Sequence, residues 1–118
     1  MEKKATILVT KPPYGTAIMA EAFRTAMGIP AVNIETRVVL EGDAVYALLK
    51  TAKPKEALNF GNMGEAFMMY EEYGFSLYVH IPSVEERGLR WVDLMDCARL
   101  SEEELQNLLR ESDMLLRF

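Results

Sequence analysis

Ala5-Thr6-Ile7-Leu8-Val9-Thr10-Lys11-Pro12-Pro13-Tyr14-Gly15-Thr16 changes character twice within one short stretch. Residues 5–10 form an apolar run rich in β-branched side chains, the pattern of a strand buried on both faces of a parallel sheet. Pro12 and Pro13 end it by withholding amide donors, and Gly15 permits a tight turn. From Thr16 the period becomes helical. Ile18, Met19, Ala22, Phe23 and Ala26 fall on one face, with Glu21, Arg24 and Thr25 outside it. Gly28 closes this helix and Pro30 keeps it from continuing.

The alternation persists along the chain. Thr36 to Leu40 reads as a second strand, ended by Glu41-Gly42-Asp43, with Asp43 placed to cap a helix from Ala44 to about Lys50. Residues 51–59 read as the longest loop. A helix from about Met63 to Tyr73 is followed by Gly74 and a third strand, Phe75 to His80. Pro82 to Gly88 reads as a short helix ending at glycine, and Trp91 to Cys97 as the stretch holding a fourth strand, interrupted by Asp93 and Asp96. Ser101-Glu102-Glu103-Glu104 is a capping box, flanked by Leu100 and Leu105 at the spacing of a hydrophobic staple. Its three glutamates sit where the helix dipole favours negative charge. Met114-Leu115-Leu116 gives a closing strand.

Strands alternating with helices predict an α/β three-layer sandwich, with a mostly parallel sheet of about five strands flanked by helices, flavodoxin- or Rossmann-like in layout. The whole chain, 1–118, is expected to form a single domain, since domains of about 100–150 residues are the commonest size. Half of the residues are hydrophobic, enough for a core. The net charge of −5 and the absence of a basic run argue against direct binding of nucleic acid. The short apolar stretch behind Met1-Glu2-Lys3-Lys4 is neither a signal peptide nor a membrane span, so a cytoplasmic protein is expected. One cysteine, Cys97, excludes an internal disulfide and a multi-cysteine metal site.

Ligands of parallel sheets gather at the C-terminal ends of the strands, where this sequence places residues 12–16, 41–43 and 80–83. Tyr14, Gly15 and Thr16 open a helix whose free amides can receive an anion, or form a turn with a threonine cap. The glycine pattern of a nucleotide loop is absent, and no cofactor or metal is expected. His80, the sole histidine, stands at the end of the third strand as a general base or polar contact, or as a strand-end residue bonded to backbone. Ser83 and Asp43 share that edge as candidate partner- or ligand-binding residues. Cys97 is the other catalytic candidate. Its neighbour Asp96 disfavours a thiolate, and a small core residue is the alternative reading. Met68, Met69, Tyr70 and Tyr73, with Phe67, make their helix apolar around more than one face, which marks a candidate interface.

Several segments, in order, resemble the DsrE/DsrF-like sulfur-relay family, and most closely its DsrF/TusC branch. Pro13-Tyr14-Gly15-Thr16-Ala17 is similar to that branch's first turn, and Gly42-Asp43-Ala44-Val45 to its second strand–helix junction. Ser83-Val84-Glu85-Glu86-Arg87-Gly88-Leu89 resembles its Arg-Gly-Leu helix, and Asp113-Met114-Leu115-Leu116-Arg117-Phe118 its terminal strand. The likeness covers nearly the whole chain. It implies a DsrEFH-like fold that assembles with DsrE-like and DsrH-like subunits and passes sulfur as a cysteine persulfide, toward tRNA 2-thiouridine or within dissimilatory sulfur metabolism. In the family the sulfur-carrying cysteine follows the third strand. Here that segment reads Tyr78-Val79-His80-Ile81-Pro82-Ser83 and holds no cysteine. The expectation is therefore a non-catalytic, structural or regulatory subunit of a complex of the DsrEFH/TusBCD type. The alternatives are an autonomous sulfurtransferase using Cys97, and a homo-oligomeric small-ligand-binding module of the same fold.

Overall fold

The computed structural model describes residues 3–50 and 63–118; the expected loop at 51–59 lies outside the described residues. Five strands form one sheet: β1 (Lys4–Val9), β2 (Glu35–Leu40), β3 (Phe75–His80), β4 (Ala98–Leu100) and β5 (Met114–Arg117). Their order across the sheet is β4-β3-β2-β1-β5, and every neighbouring pair runs parallel. Parallel pairing demands a crossover between each strand and the next. These are supplied by α1 (Ile18–Gly28), α2 (Met63–Met68), α3 (Tyr70–Tyr73), α4 (Ile81–Glu86) and α5 (Glu102–Arg110), with 3-10 turns at Ile29–Val32, Gly42–Leu48 and Trp91–Asp93. The expected α/β sandwich with a parallel five-stranded sheet is the observed fold.

Register decides which side chains share a face. Ile7 lies beside Val38, and Val38 beside Leu77. These residues, with Val9, Leu40, Phe75 and Val79, form the larger core against Met19, Ala22 and Ala26 of α1, Val45 and Leu48 of the 3-10 turn, and Phe67 of α2. Phe23 meets the edges of Phe67 and Phe75 at centroid distances of 5.3 and 6.3 Å, a favoured aromatic geometry. The opposite face carries Thr6, Leu8, Arg37, Val39 and His80. It holds a much smaller apolar cluster, Leu8, Val39, Leu100, Leu105 and Leu108, of which the last two come from α5. α5 starts from a complete capping box: Ser101 Oγ accepts from Glu104 N at 3.1 Å and Glu104 Oε1 accepts from Ser101 N at 2.8 Å.

Several elements differ from their sequence-based bounds. The segment after β2 is a 3-10 helix with no side-chain cap at Glu41, and Asp43 turns outward to pair with Arg87 instead of capping. The helix expected over 63–73 breaks at Met69 (φ −86°, ψ 21°) into α2 and α3. The fourth strand lies beyond the expected 91–97 stretch, at Ala98–Leu100. The earlier residues are held elsewhere: Asp93 accepts from Arg90, and Leu94 bridges Leu49 antiparallel, away from β3.

α2 approaches the 3-10 turn at Gly64. A Cβ there would lie 1.8 Å from the Ala47 carbonyl oxygen and 2.7 Å from Met95 Cε. Alanine gains about 1 kcal/mol over glycine in an open helix, but a backbone clash of this size cannot be relieved by a rotamer change. Gly64→Ala is expected to lower unfolding free energy in urea by about 1–3 kcal/mol, the usual cost of overpacking. An equal or higher denaturation midpoint would refute the close approach.

Candidate functional site

The ends of β1, β2 and β3 bring three turns together at one edge of the sheet. Gly42 has a left-handed backbone (φ 59°), and a Cβ placed on it would lie 3.4 Å from the Thr10 carbonyl oxygen. Its amide donates to Ser83 Oγ at 2.9 Å. Ser83 stands in α4, directly after β3, and is itself 2.6 Å from Nδ1 of His80. The other imidazole nitrogen, Nε2, lies 2.7 Å from Oε1 of Glu102 in the first turn of α5. His80 and Ser83 are buried, at 5 % and 3 % exposure, whereas the Glu102 side chain faces solvent.

Proton positions in this chain follow from its chemistry. Glu102 is held below the ordinary carboxylate range by hydrogen bonds from Gln106 and His80. An ionised carboxylate only accepts, so Nε2 carries the proton and donates it to Glu102. In a neutral imidazole Nδ1 is then an acceptor, filled by the Ser83 hydroxyl, which in turn accepts from Gly42. With the imidazole neutral, the donors run from Gly42 N–H to Ser83, Ser83 O–H to His80 and His80 N–H to Glu102, and the sequence is closed at both ends. It ties the β2 turn, α4 and α5 into one unit.

Arg87 supports the same unit from the far side of Ser83. Its Nη1 donates to the Ser83 carbonyl oxygen at 3.1 Å, and its Nε and Nη2 both reach Oδ1 of Asp43 at 3.0 Å. Of the residues expected at this edge, His80, Ser83 and Asp43 are thus gathered, directly or through Arg87. The Tyr14–Thr16 turn shares the edge but engages locally: Thr16 Oγ1 accepts from Ile18 N at 3.3 Å, just ahead of α1, while Tyr14 is exposed. Glu102, Arg87 and Gly42 are additions to the expected set. Glu102 becomes visible only through the observed register, in which β4 pairs Leu100 with His80 and so delivers the residues just after Leu100 to the histidine.

Cys97 is not at this edge. It precedes β4, whose Ala98 pairs with Tyr78 and Leu100 with His80. Three positions at the rise of a strand put it about 10 Å back toward the N-terminal end of the sheet. Burial, and then the Asp96 carboxylate, push its thiol up to about 12, with Arg99 opposing. The Met68–Tyr73 segment divides: Met68 and Tyr70 pack partly against the larger core, while Met69 and Tyr73 are exposed on its outer side, Tyr73 edge-on to Phe23 at 5.5 Å. Among the described residues no helix is long and apolar enough to cross a membrane, and no group of three or more His, Cys, Asp or Glu is placed to hold a metal.

Glu102 and Glu104 both titrate below the ordinary glutamate value in the folded chain, Glu104 through the capping box. Depressed carboxylates stabilise the fold above their unfolded values, and that contribution disappears as pH falls through the folded ones. The α5 N-terminus should therefore loosen on acidification below about pH 4, the unfolded glutamate range. Carboxyl-carbon NMR titration should place both groups below the ordinary glutamate value of about 4.3. Midpoints at or above that value would exclude the two hydrogen-bonded arrangements.

The sequence profile of the DsrE/DsrF-like family matches residues 3–118. Protein TusC of Buchnera aphidicola subsp. Baizongia pistaciae is 29 % identical over 119 residues, covering 98 % of this chain and 99 % of the relative. An uncharacterized protein of Methanocaldococcus jannaschii is 29 % identical over 116 residues, with the same coverage. In solved structures, the YchN protein of E. coli superposes with a TM-score of 0.79 at 23 % identity over the full length of both chains. A protein of unknown function from Methanobacterium thermoautotrophicum gives 0.69 at 9 % identity, over 99 % of this chain and all of the other. At these identities the two structures speak for the shared fold. With the profile spanning all but the first two residues, the chain belongs to the DsrE/DsrF-like family.

Proposed function

We propose that this protein is a non-catalytic subunit of a sulfur-relay complex of the DsrEFH/TusBCD type, which builds the assembly and shapes its active edge while a cysteine-bearing relative carries the persulfide. The carrying observation is the closed hydrogen-bond chain at the end of β3. Where the family resemblance calls for a sulfur-carrying cysteine, this sequence has His80 and Ser83, and their polar atoms are already satisfied by Gly42 and Glu102. A persulfide needs a thiolate nucleophile, which neither a hydroxyl nor an imidazole supplies. A buried, fully bonded serine and histidine act as a joint between elements.

Membership of the DsrE/DsrF-like family and the near full-length similarity to a TusC protein support the sulfur-relay context. The partners that fit are DsrE-like and DsrH-like subunits, and the sulfur passes toward 2-thiouridine in tRNA or within dissimilatory sulfur metabolism. Exposed Met69 and Tyr73, and the exposed Met114 and Leu115 on edge strand β5, offer apolar surface for such assembly. A relay through Cys97 is disfavoured, because a thiol held near 12 is protonated at neutral pH and lies away from the strand C-terminal edge.

Co-expression with a cysteine-bearing DsrE-like and a DsrH-like relative should yield one species by light scattering. Two or three separate species at micromolar concentration would refute the proposal. Cys97 should react with a thiol-specific disulfide reagent at pH 7.5 at least tenfold more slowly in the native chain than in urea, following the thiolate fraction. Fast native labelling, or sulfur transfer lost in Cys97→Ser, would restore the cysteine as a carrier.

A further inference from the structure

Arg37, in the middle of β2, is 5 % exposed and lies under α5. A guanidinium has five N–H donors and keeps its charge at all working pH values. Here Nη2 meets three neutral oxygens: Ser112 Oγ at 3.0 Å, the Leu108 carbonyl at 3.2 Å and Thr6 Oγ1 at 3.4 Å. Nη1 is 3.5 Å from Oε2 of Glu35, whose side chain is 45 % exposed. Nε is buried and has no hydrogen-bond partner among the described residues. A buried cation is retained at low cost only where its donors are filled and a counter-ion is close. Arg37 has the Glu35 carboxylate within reach of Nη1, but its Nε donor stays unfilled while α5 is seated.

α5 is otherwise lightly held. Leu105 and Leu108 are its buried side chains, Leu109 packs partly buried beside them, and the cluster they join is the smaller of the two. Its remaining attachments are polar and lie at its two ends: Glu102 to His80 near the first turn, and the Leu108 carbonyl and Ser112 to Arg37 near the last. The strands on either side are fixed independently. β4 is paired with β3, and β5 is pinned to β1 by reciprocal bonds between Lys4 and Asp113 and by Phe118 to Leu8 and Thr10. The helix can therefore leave the sheet without unpairing either strand.

From this arrangement we propose that α5 is a displaceable cover, which opens as a local unit because its closure buries Arg37 incompletely satisfied. Opening hydrates the guanidinium, releases Glu102 from His80 and presents Arg37, Leu8 and Val39 on one sheet face. The edge described above then has two states, one with His80 fixed by Glu102 and one with it free. This property belongs to the chain by itself. It stands or falls separately from the sulfur-relay proposal, which concerns partners.

Hydrogen exchange of the full chain at neutral pH, read by mass spectrometry, tests it without any variant. Peptides covering Glu102–Arg110 should exchange at least tenfold faster than those of β1 and β2 after correction for intrinsic rates, and their opening should be insensitive to low urea. Exchange of α5 in step with β1 and β2, with the same urea dependence, would overturn the proposal. The sign of one substitution is a second check. Arg37→Met removes the unsatisfied cation while keeping an apolar stem of similar length, and should slow α5 exchange at least threefold while leaving β3 peptides unchanged. If it instead accelerates α5, Arg37 is an anchor and the cover is refuted. Glu102→Gln, which weakens the attachment to His80 without touching Arg37, should accelerate α5 and not the strands. No change in α5 would likewise count against the proposal.

Discussion

An all-parallel sheet sends each strand back to the same end by a crossover, so all strand C-termini collect at one edge and both faces must be covered. This constraint organises the molecule. It makes β1, β2 and β3 apolar on their inner positions and brings the turns at 10–16, 41–43 and 80–83 together. It also creates an imbalance. One face is sealed by α1, α2 and the 3-10 turn around Phe67 and Leu48, while α5 supplies Leu105 and Leu108 to the small cluster on the other. The polar residues Thr6, Arg37 and His80 lie on that second face, where Glu102 reaches His80, the Leu108 carbonyl reaches Arg37, and Ser112 just beyond α5 meets Arg37 and Thr6.

The local signals that were easiest to read were those with one physical cause. The runs 5–9 and 36–40 are buried at every position and, Arg37 apart, β-branched or apolar, Phe75, Leu77 and Val79 mark the inner face of the third, and the Ser101–Glu104 capping box names its own helix start. What was harder to read depended on tertiary partners. Trp91 to Leu94 has strand-like composition, but Asp93 and Leu94 are engaged by Arg90 and Leu49, so pairing with β3 is delayed to Ala98. Asp43 looks like a helix cap until Arg87, distant in sequence, is brought within 3.0 Å. Met69 interrupts a helix that periodicity alone would continue to Tyr73.

The site was legible by position and opaque by partnership. His80 and Ser83 could be placed at the productive edge from the alternation of elements. Glu102 could not, because the capping box already accounts for the three glutamates and leaves nothing that asks for a histidine. Only the pairing of Leu100 with His80 exposes the second role of that helix turn. In the same geometry Ser83 and His80 each satisfy a group from a different element, so the junction of the β2 turn, α4 and α5 is specified by hydrogen bonds.

The pinning of β5 has a consequence for how the chain folds. Lys4 and Asp113 are joined by bonds spanning 109 residues, and Thr10 holds Phe118 across 108. Closing such a loop carries a large entropic cost before any contact offsets it, so this pairing belongs late in folding. During synthesis β1 gains its neighbour β2 early, yet keeps its other side unpaired until residue 113 and its successors emerge. The nascent chain therefore carries an open, apolar strand edge for most of its elongation. That edge is a target for mispairing with other chains until the last strand arrives to close it.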